Sequence, residues 1–229
     1  MKPLLALFDV DGTLFLTHDP LSSQALIASL RELYSVDPAA DAVERVDHRG
    51  QTSLRIAREV LRGEGLGDGQ IDEQLGDWCA LFAERYLELL GHADTSGWRR
   101  APFAEESLSR LVGAGIRVAL LTGNPEPIAR ARMTRLGLEP FFPDGQGAFG
   151  CDAEERSALL TIARERAGGW PAECTVEIGD TPLDVSSAHT AGVRSVAVRS
   201  GRGADDFPDA DATCDGLGAV ADTLLAWSR

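Results

Sequence analysis

Asp9-Val10-Asp11-Gly12-Thr13 places two carboxylates one residue apart, directly after the apolar run Leu4–Phe8. Two such groups repel unless a cation or a proton holds them together. Gly12 allows close approach or an unusual turn, and Thr13 can hydrogen-bond the local backbone and hold the loop. An ordinary Asp-Gly turn is the plain alternative. Two more apolar runs end in the same way. Ile116–Leu121 ends in Thr122-Gly123-Asn124, a hydroxyl and amides ahead of a helix start, suited to a phosphoryl oxygen. Thr175–Ile178 ends in Gly179-Asp180-Thr181-Pro182-Leu183-Asp184, which adds two carboxylates. Between these runs Arg156 lies in the first turns of the helix that follows Cys151-Asp152. Acidic residues at the ends of neighbouring strands would form one cluster. Such a cluster suits a hard divalent cation, and magnesium is the default for phosphate chemistry.

The elements that must position these groups follow from the hydrophobic pattern. Leu4–Phe8, Ile116–Leu121, Thr175–Ile178 and Val193–Val198 are continuous rather than alternating, as expected of parallel strands covered on both faces. Helical patterns separate them: Phe103 to Val112, Pro127 to Leu136, Ala153 to Ala167 and Leu183 to Ala191, each followed by glycine. Alternating strands and helices predict a doubly wound, Rossmann-like α/β sheet. Residues 16–100 break that rhythm, and three amphipathic helices are expected there: one opening at Asp19-Pro20, one over Thr52 to Leu61 and one over Ile71 to Leu90. The expected organisation is an α/β core of residues 1–15 and 101–229 interrupted by an all-helical block of 16–100. From Gly201 onward a loop, a short edge strand near Ala212–Cys214 and a closing helix are expected.

Composition narrows the function. A net charge of −14 argues against a nucleic-acid partner, because phosphate backbones need clustered Lys and Arg. Lysine occurs only at Lys2, so arginine carries the basic chemistry. Cys79, Cys151, Cys174 and Cys214 form no CxxC pair, which weighs against zinc and redox roles and favours reduced thiols in a cytoplasmic setting. No apolar stretch is long enough to span a bilayer, so no membrane partner is expected.

The order Asp-x-Asp-Gly-Thr, Thr-Gly-Asn, a basic residue and Gly-Asp-x-x-x-Asp resembles the four motifs of the haloacid dehalogenase-like superfamily, across about residues 3–14 and 101–198. The helical block resembles the cap of its phosphoglycolate phosphatase and β-phosphoglucomutase branches. The resemblance implies a nucleophilic Asp9 that becomes a phosphoaspartate, and Asp11 as the acid that protonates the leaving oxygen and then activates water. It implies Thr122 and Arg156 on the transferring phosphoryl group, helped by Gly12, Thr13, Gly123 and Asn124. Magnesium (Mg2+) would be held by the Asp9 carboxylate, the Asp11 main-chain carbonyl and Asp180, with Asp184 behind or through water. A small phosphorylated metabolite is the implied substrate.

Two departures stand out. The family usually has lysine where this chain offers Arg156, which is either the missing cation or an ordinary helix-surface charge. The true dehalogenases lack the second aspartate of the first motif, so Asp11 argues against a carbon–halogen substrate. In the loop Asp47-His48-Arg49-Gly50-Gln51-Thr52, Arg49 either contacts a second anionic group of the substrate or is solvated. His18, near the expected hinge, either enters the site or packs at the hinge, and packing is the favoured expectation; His189 is expected at the surface. Three functions compete: a metabolite phosphatase, a β-phosphoglucomutase-like phosphotransferase, and a catalytically weak binding or regulatory protein.

Overall fold

The computed structural model describes residues 3–199 and 206–229, so the loop expected from Gly201 lies partly outside the described residues. Five parallel strands form one sheet: β1 (Leu5–Phe8), β2 (Arg117–Leu120), β3 (Thr175–Gly179), β4 (Arg194–Val198) and β5 (Ala212–Cys214). Their order is β2-β1-β3-β4-β5. The chain therefore changes direction of travel at β1, and in such sheets ligands bind beyond the strand ends at that point. Register sharpens this, because Phe8 is level with both Leu120 and Ile178. Whatever follows those residues emerges side by side.

Successive β1 side chains serve opposite faces, as the period of two requires. Ala6 and Phe8 pack with α5 (Ala104–Gly113), α6 (Glu126–Leu136) and α9 (Leu217–Trp227). Leu5 and Leu7 pack with α7 (Arg156–Arg166) and α8 (Pro182–Thr190). This is the doubly wound α/β fold that the continuous apolar runs predict.

Between β1 and β2 the chain is helical: α1 (Pro20–Tyr34), α2 (Ser53–Gly63), α3 (Asp68–Asp72) and α4 (Leu75–His92). Asp19 caps α1 through Leu21 N at 3.1 Å, with Pro20 in the first turn. These helices share their own apolar cluster around Trp78, Phe82, Leu30 and Leu61, joined from the sheet side by Ile128 of α6. Trp78 stacks on Phe82 and donates Nε1–H to Ser29 at 2.8 Å, so its polar edge is satisfied in the interior. The single helix expected over Ile71 to Leu90 is in fact broken at Gln74, which leaves helical geometry (φ −130°, ψ −3°). Asp68 and Asp72 of the short α3 both bind Arg58 of α2, so that turn is drawn to α2 instead of continuing into α4.

The cysteines correct the sequence reading. Cys79 of α4 and Cys151 are joined in a disulfide across 72 residues, with Cα atoms 6.0 Å apart. Cys174 and Cys214 are free thiols. Sequence spacing could not reveal the pair, because its halves come from the helical block and the α/β block. Among the described residues no helix is long and apolar enough to cross a membrane.

Candidate active site

Three strand ends supply the site. Asp9 follows β1 and is held by its main-chain N–H to Ile178 O at 2.9 Å. Asp180 follows the neighbouring β3. Asp184 is the third residue of α8, where it forms a capping box with Thr181: its Oδ2 accepts from Thr181 N at 2.8 Å and Thr181 Oγ1 at 2.7 Å. That cap fixes the carboxylate. Asp9, Asp180 and Asp184 are buried, and each offers one oxygen within 4.8 Å of the others.

Arg156 begins α7 and is 3% exposed, so it is no helix-surface charge. Its Nη2 reaches Asp9 Oδ1 at 3.1 Å and Asp184 Oδ1 at 2.5 Å, and its Nε reaches Glu177 at 3.3 Å. Nη1 donates to Gly50 O at 2.8 Å, a carbonyl of the helical block. Burial works against the guanidinium, but Asp184, Asp9 and Glu177 outweigh it and keep the charge in place.

Burial pushes the Asp9 carboxyl well above its ordinary range; Arg156 pulls it down, while Asp184, Asp180 and Asp11 push it further up. Burial lifts Glu177 likewise, against the pull of Arg156. One buried arginine thus pairs with three acidic groups, Asp9, Asp184 and Glu177, with Asp180 close by. The donor set fits a small hard cation: carboxylate oxygens only, close together and costly to keep charged without one.

Gly12 is required by geometry. Its φ is +88°, and a Cβ there would collide with the Asp180 carboxylate. Thr13 is buried, and its hydroxyl faces Asp180 Oδ1 at 3.4 Å rather than bracing the local backbone. Thr122 is buried beyond β2 and accepts from Asn124 N and Nδ2 at 3.3 and 3.0 Å. The Asn124 amide also donates to Asp11 Oδ2 at 2.6 Å, so its side chain is spent on organising the site. Gly123 lies under Gln51, whose carbonyl a Cβ would strike.

A cavity of about 280 Å³ opens over this cluster, walled on the other side by the helical block and lined by Asp9, Asp11, Thr122, Arg156 and Asp180. Arg49, His48 and His18 also line it. His18 is exposed to that cavity, which corrects the expectation that it packs at the hinge. His189 is exposed at the far end of α8, 3.3 Å from Asp211.

A family model for haloacid dehalogenase-like hydrolases matches residues 4–192. The chain belongs to that family. Among curated relatives, a phosphoglycolate phosphatase of Rhodospirillum rubrum is 31% identical over 87% of this chain and 80% of its own length. The tyrosine-protein kinase PtkA of Mycobacterium tuberculosis is 29% identical over 93% of this chain and 67% of its own. Among solved structures, CbbY of Rhodobacter sphaeroides in complex with phosphate superposes with a TM-score of 0.69 at 21% identity, covering 96% of each chain.

Sequence reasoning missed four residues of this hydrolase site: Glu177, Asp19, Tyr86 and Arg132. Glu177 had a signal, since a carboxylate inside the apolar β3 run calls for a buried cation. The sequence marks Asp19 only as the start of a helix, and Tyr86 falls inside another with nothing to set it apart. Arg132 lies on α6 with nothing local to distinguish it from its arginine neighbours.

Proposed function

We propose that this chain is a magnesium-dependent phosphatase that hydrolyses a small phosphorylated metabolite, of phosphoglycolate or sugar-phosphate type, through a phosphoaspartate. The observation that carries the reading is Arg156 against Asp9, with Asp180 and Asp184 alongside, under a cavity of metabolite size. Residues 1–15 and 101–229 serve as the catalytic core and 16–100 as its cap.

Asp9 attacks phosphorus as the bond to the leaving oxygen breaks, and Asp11 gives that oxygen its proton. Asp11 then takes a proton from water as the water attacks phosphorus and frees Asp9. Thr122 Oγ1, the Gly123 amide and Arg156 hold the phosphoryl oxygens, and positioning with charge neutralisation does most of the work. Asp9, Asp180 and the Asp11 main-chain carbonyl would hold the magnesium ion, with Asp184 behind; when bound it neutralises charge on the transferring group. Arg49 of the cap meets a second anionic group of the substrate.

Phosphate release from p-nitrophenyl phosphate and a panel of phosphorylated metabolites, with magnesium and with chelator, tests the proposal. Release is expected with magnesium, none with chelator and none from D9N; an active D9N protein sinks it. The kinase relative supports a second reading, transfer to an acceptor other than water, and loss of phosphate without release of inorganic phosphate would favour it. The contact of Arg156 with Asp9 supports the phosphatase reading over a catalytically weak binding role. We also assign the enzyme to the cytoplasm; disulfides are rare there, so a Cys79–Cys151 bridge found intact in cells would overturn that assignment.

A further inference from the structure

We propose that Arg132 is the positioning residue of Asp11 and ties its orientation to the seating of the cap. This rests on the reading of Asp11 as the proton-handling group.

Arg132 is 2% exposed, yet its donors are divided between two parts of the molecule. Nη1 donates to Asp11 Oδ2 at 2.8 Å and Asn124 Oδ1 at 3.1 Å, both on the core side. Nη2 donates to Asp19 Oδ2 at 2.8 Å, and Nε to the Tyr86 hydroxyl at 3.1 Å. Tyr86 in turn donates to Asp19 Oδ2 at 2.7 Å, closing a ring between the cap of α1 and the middle of α4. The guanidinium also lies over the rings of Phe15 and Tyr86, 5.3 and 5.4 Å from their centroids.

A buried arginine is costly unless paired, and one carboxylate would suffice for that purpose. Asp19, with a side chain only 2% exposed, already provides it. The second pairing goes to Asp11, whose side chain is 39% exposed and lines the cavity. Arg132 and Asn124 converge on the same oxygen of Asp11, Oδ2. That assigns Oδ1 to the proton delivered to the leaving oxygen. The brace depends on cap contacts, because Asp19 and Tyr86 fix the other half of the guanidinium. Loss of those contacts frees Asp11 to turn, so proton delivery depends on Asp19 and Tyr86 being seated against Arg132. The two connecting segments beside this network run antiparallel, with Leu16 N on Arg99 O at 2.9 Å and Ala101 N on Leu14 O at 2.9 Å, and hold Asp19 close to the core.

The test compares kcat/KM for an alkyl monoester, phosphoglycolate, with that for p-nitrophenyl phosphate, whose leaving oxygen needs little protonation. This parameter covers steps up to departure of the leaving group and so isolates proton donation. R132M is expected to lose roughly 100-fold on phosphoglycolate and under about fivefold on the aryl ester. R132K, which keeps the charge but cannot span Asp11 and Asp19, should fall between R132M and wild type. Y86F and D19N should show the same selective loss at roughly tenfold. Melting curves identify any variant that fails to fold, and the conservative R132K and Y86F then decide. Equal losses on both substrates in R132K overturn the positioning role; an unaltered substrate ratio in Y86F and D19N overturns the coupling to the cap. If D11N keeps wild-type kcat/KM on phosphoglycolate, or wild type turns over neither ester, the reading of Asp11 falls and this proposal with it. A selectively impaired D11N beside a normal R132K overturns this proposal alone.

Discussion

Arg156 sets its Nη2 nitrogen 3.1 Å from Asp9 Oδ1, with both side chains buried beneath the cavity. In the function proposed above, this arginine at the start of α7 takes the part that the family resemblance gives to a lysine. Its planar fork does more than a lysine ammonium could, because one group contacts Asp9, Asp184, Glu177 and the Gly50 carbonyl. The fork also explains Glu177, an acid in the middle of β3 whose partner is the Nε that a lysine lacks.

R156A should therefore lower kcat by about 10³-fold or more, the scale of removing an arginine from a phosphoryl-transfer site. R156K should retain more activity but leave Glu177 buried without its partner. Breaking a buried pair costs about 3–5 kcal/mol. Burial already raises the Glu177 carboxyl in the intact protein, and removing Arg156 raises it further. Such a group adds stability below its unfolded value and loses it as pH rises through the folded one. R156A should accordingly melt closer to wild type in acid than at neutral pH. Melting temperatures of both proteins across that range check this, and a gap that does not widen with pH counts against it.

The strands were legible because both of their faces are covered, which leaves continuous apolar runs, and the observed strands fall within a residue of those runs. The carboxylates were legible because each follows such a run. The α3–α4 break was not, since Ile71 and Leu75 keep the same buried face on either side of it. Nor was the Arg132–Asp19 pair, whose partners are 113 residues apart and meet only once the helical block has docked. Glu177 fell between the two cases. Its position was visible, but its meaning depended on where Arg156 would land.

Magnesium should stabilise the protein more as pH rises. Burial lifts the Asp9 carboxyl well above its ordinary range, with Asp184, Asp180 and Asp11 adding to the rise against Arg156. Without a cation, this raised group favours the folded state only in acid, below the unfolded carboxyl value of about 4, and that benefit is lost as pH rises through the folded value. A bound cation needs the carboxylate and displaces the proton. The gain in melting temperature with magnesium over chelator should grow from about pH 5 to about pH 8. A gain that stays flat or shrinks would count against the Asp9–Asp180–Asp184 cluster as the metal site.

Gly12→Ala should remove the magnesium response while leaving the fold intact. The residue has φ +88°, and its Cβ would enter the Asp180 carboxylate. Strain of about 1–3 kcal/mol is expected from the backbone alone, and displacement of Asp180 adds the functional loss. Gly145→Ala is the control, with φ +72° but open space around its Cβ. Both variants should lose stability, and only G12A should lose the shift with magnesium. Calorimetry with and without the ion separates the two effects.

Reduction of Cys79–Cys151 should destabilise the protein without unfolding it. The bridge ties α4 of the helical block to the segment after Gly150, whose carbonyl accepts from Leu54 N at 3.3 Å and whose N–H donates to Asn124 O at 2.8 Å. The two blocks thus meet there through the Leu54 N–H bond to Gly150 O, and nearby through Ser53 N–H to Gly123 O at 2.8 Å, as well as the covalent link, so the contact survives loss of the bridge. Closing a loop of that size contributes about 2–4 kcal/mol. A dithiol reductant, itself oxidised to a cyclic disulfide, should lower the melting temperature of wild type. The C79S/C151S double variant should melt at the reduced value and ignore the reductant. Cys174 and Cys214 are already free thiols, so reduction should add two hydrogens and no more to the intact mass. Wild type that melts identically with and without reductant, while its mass shows the bridge opening, would mean that the bridge adds nothing to the main-chain contacts.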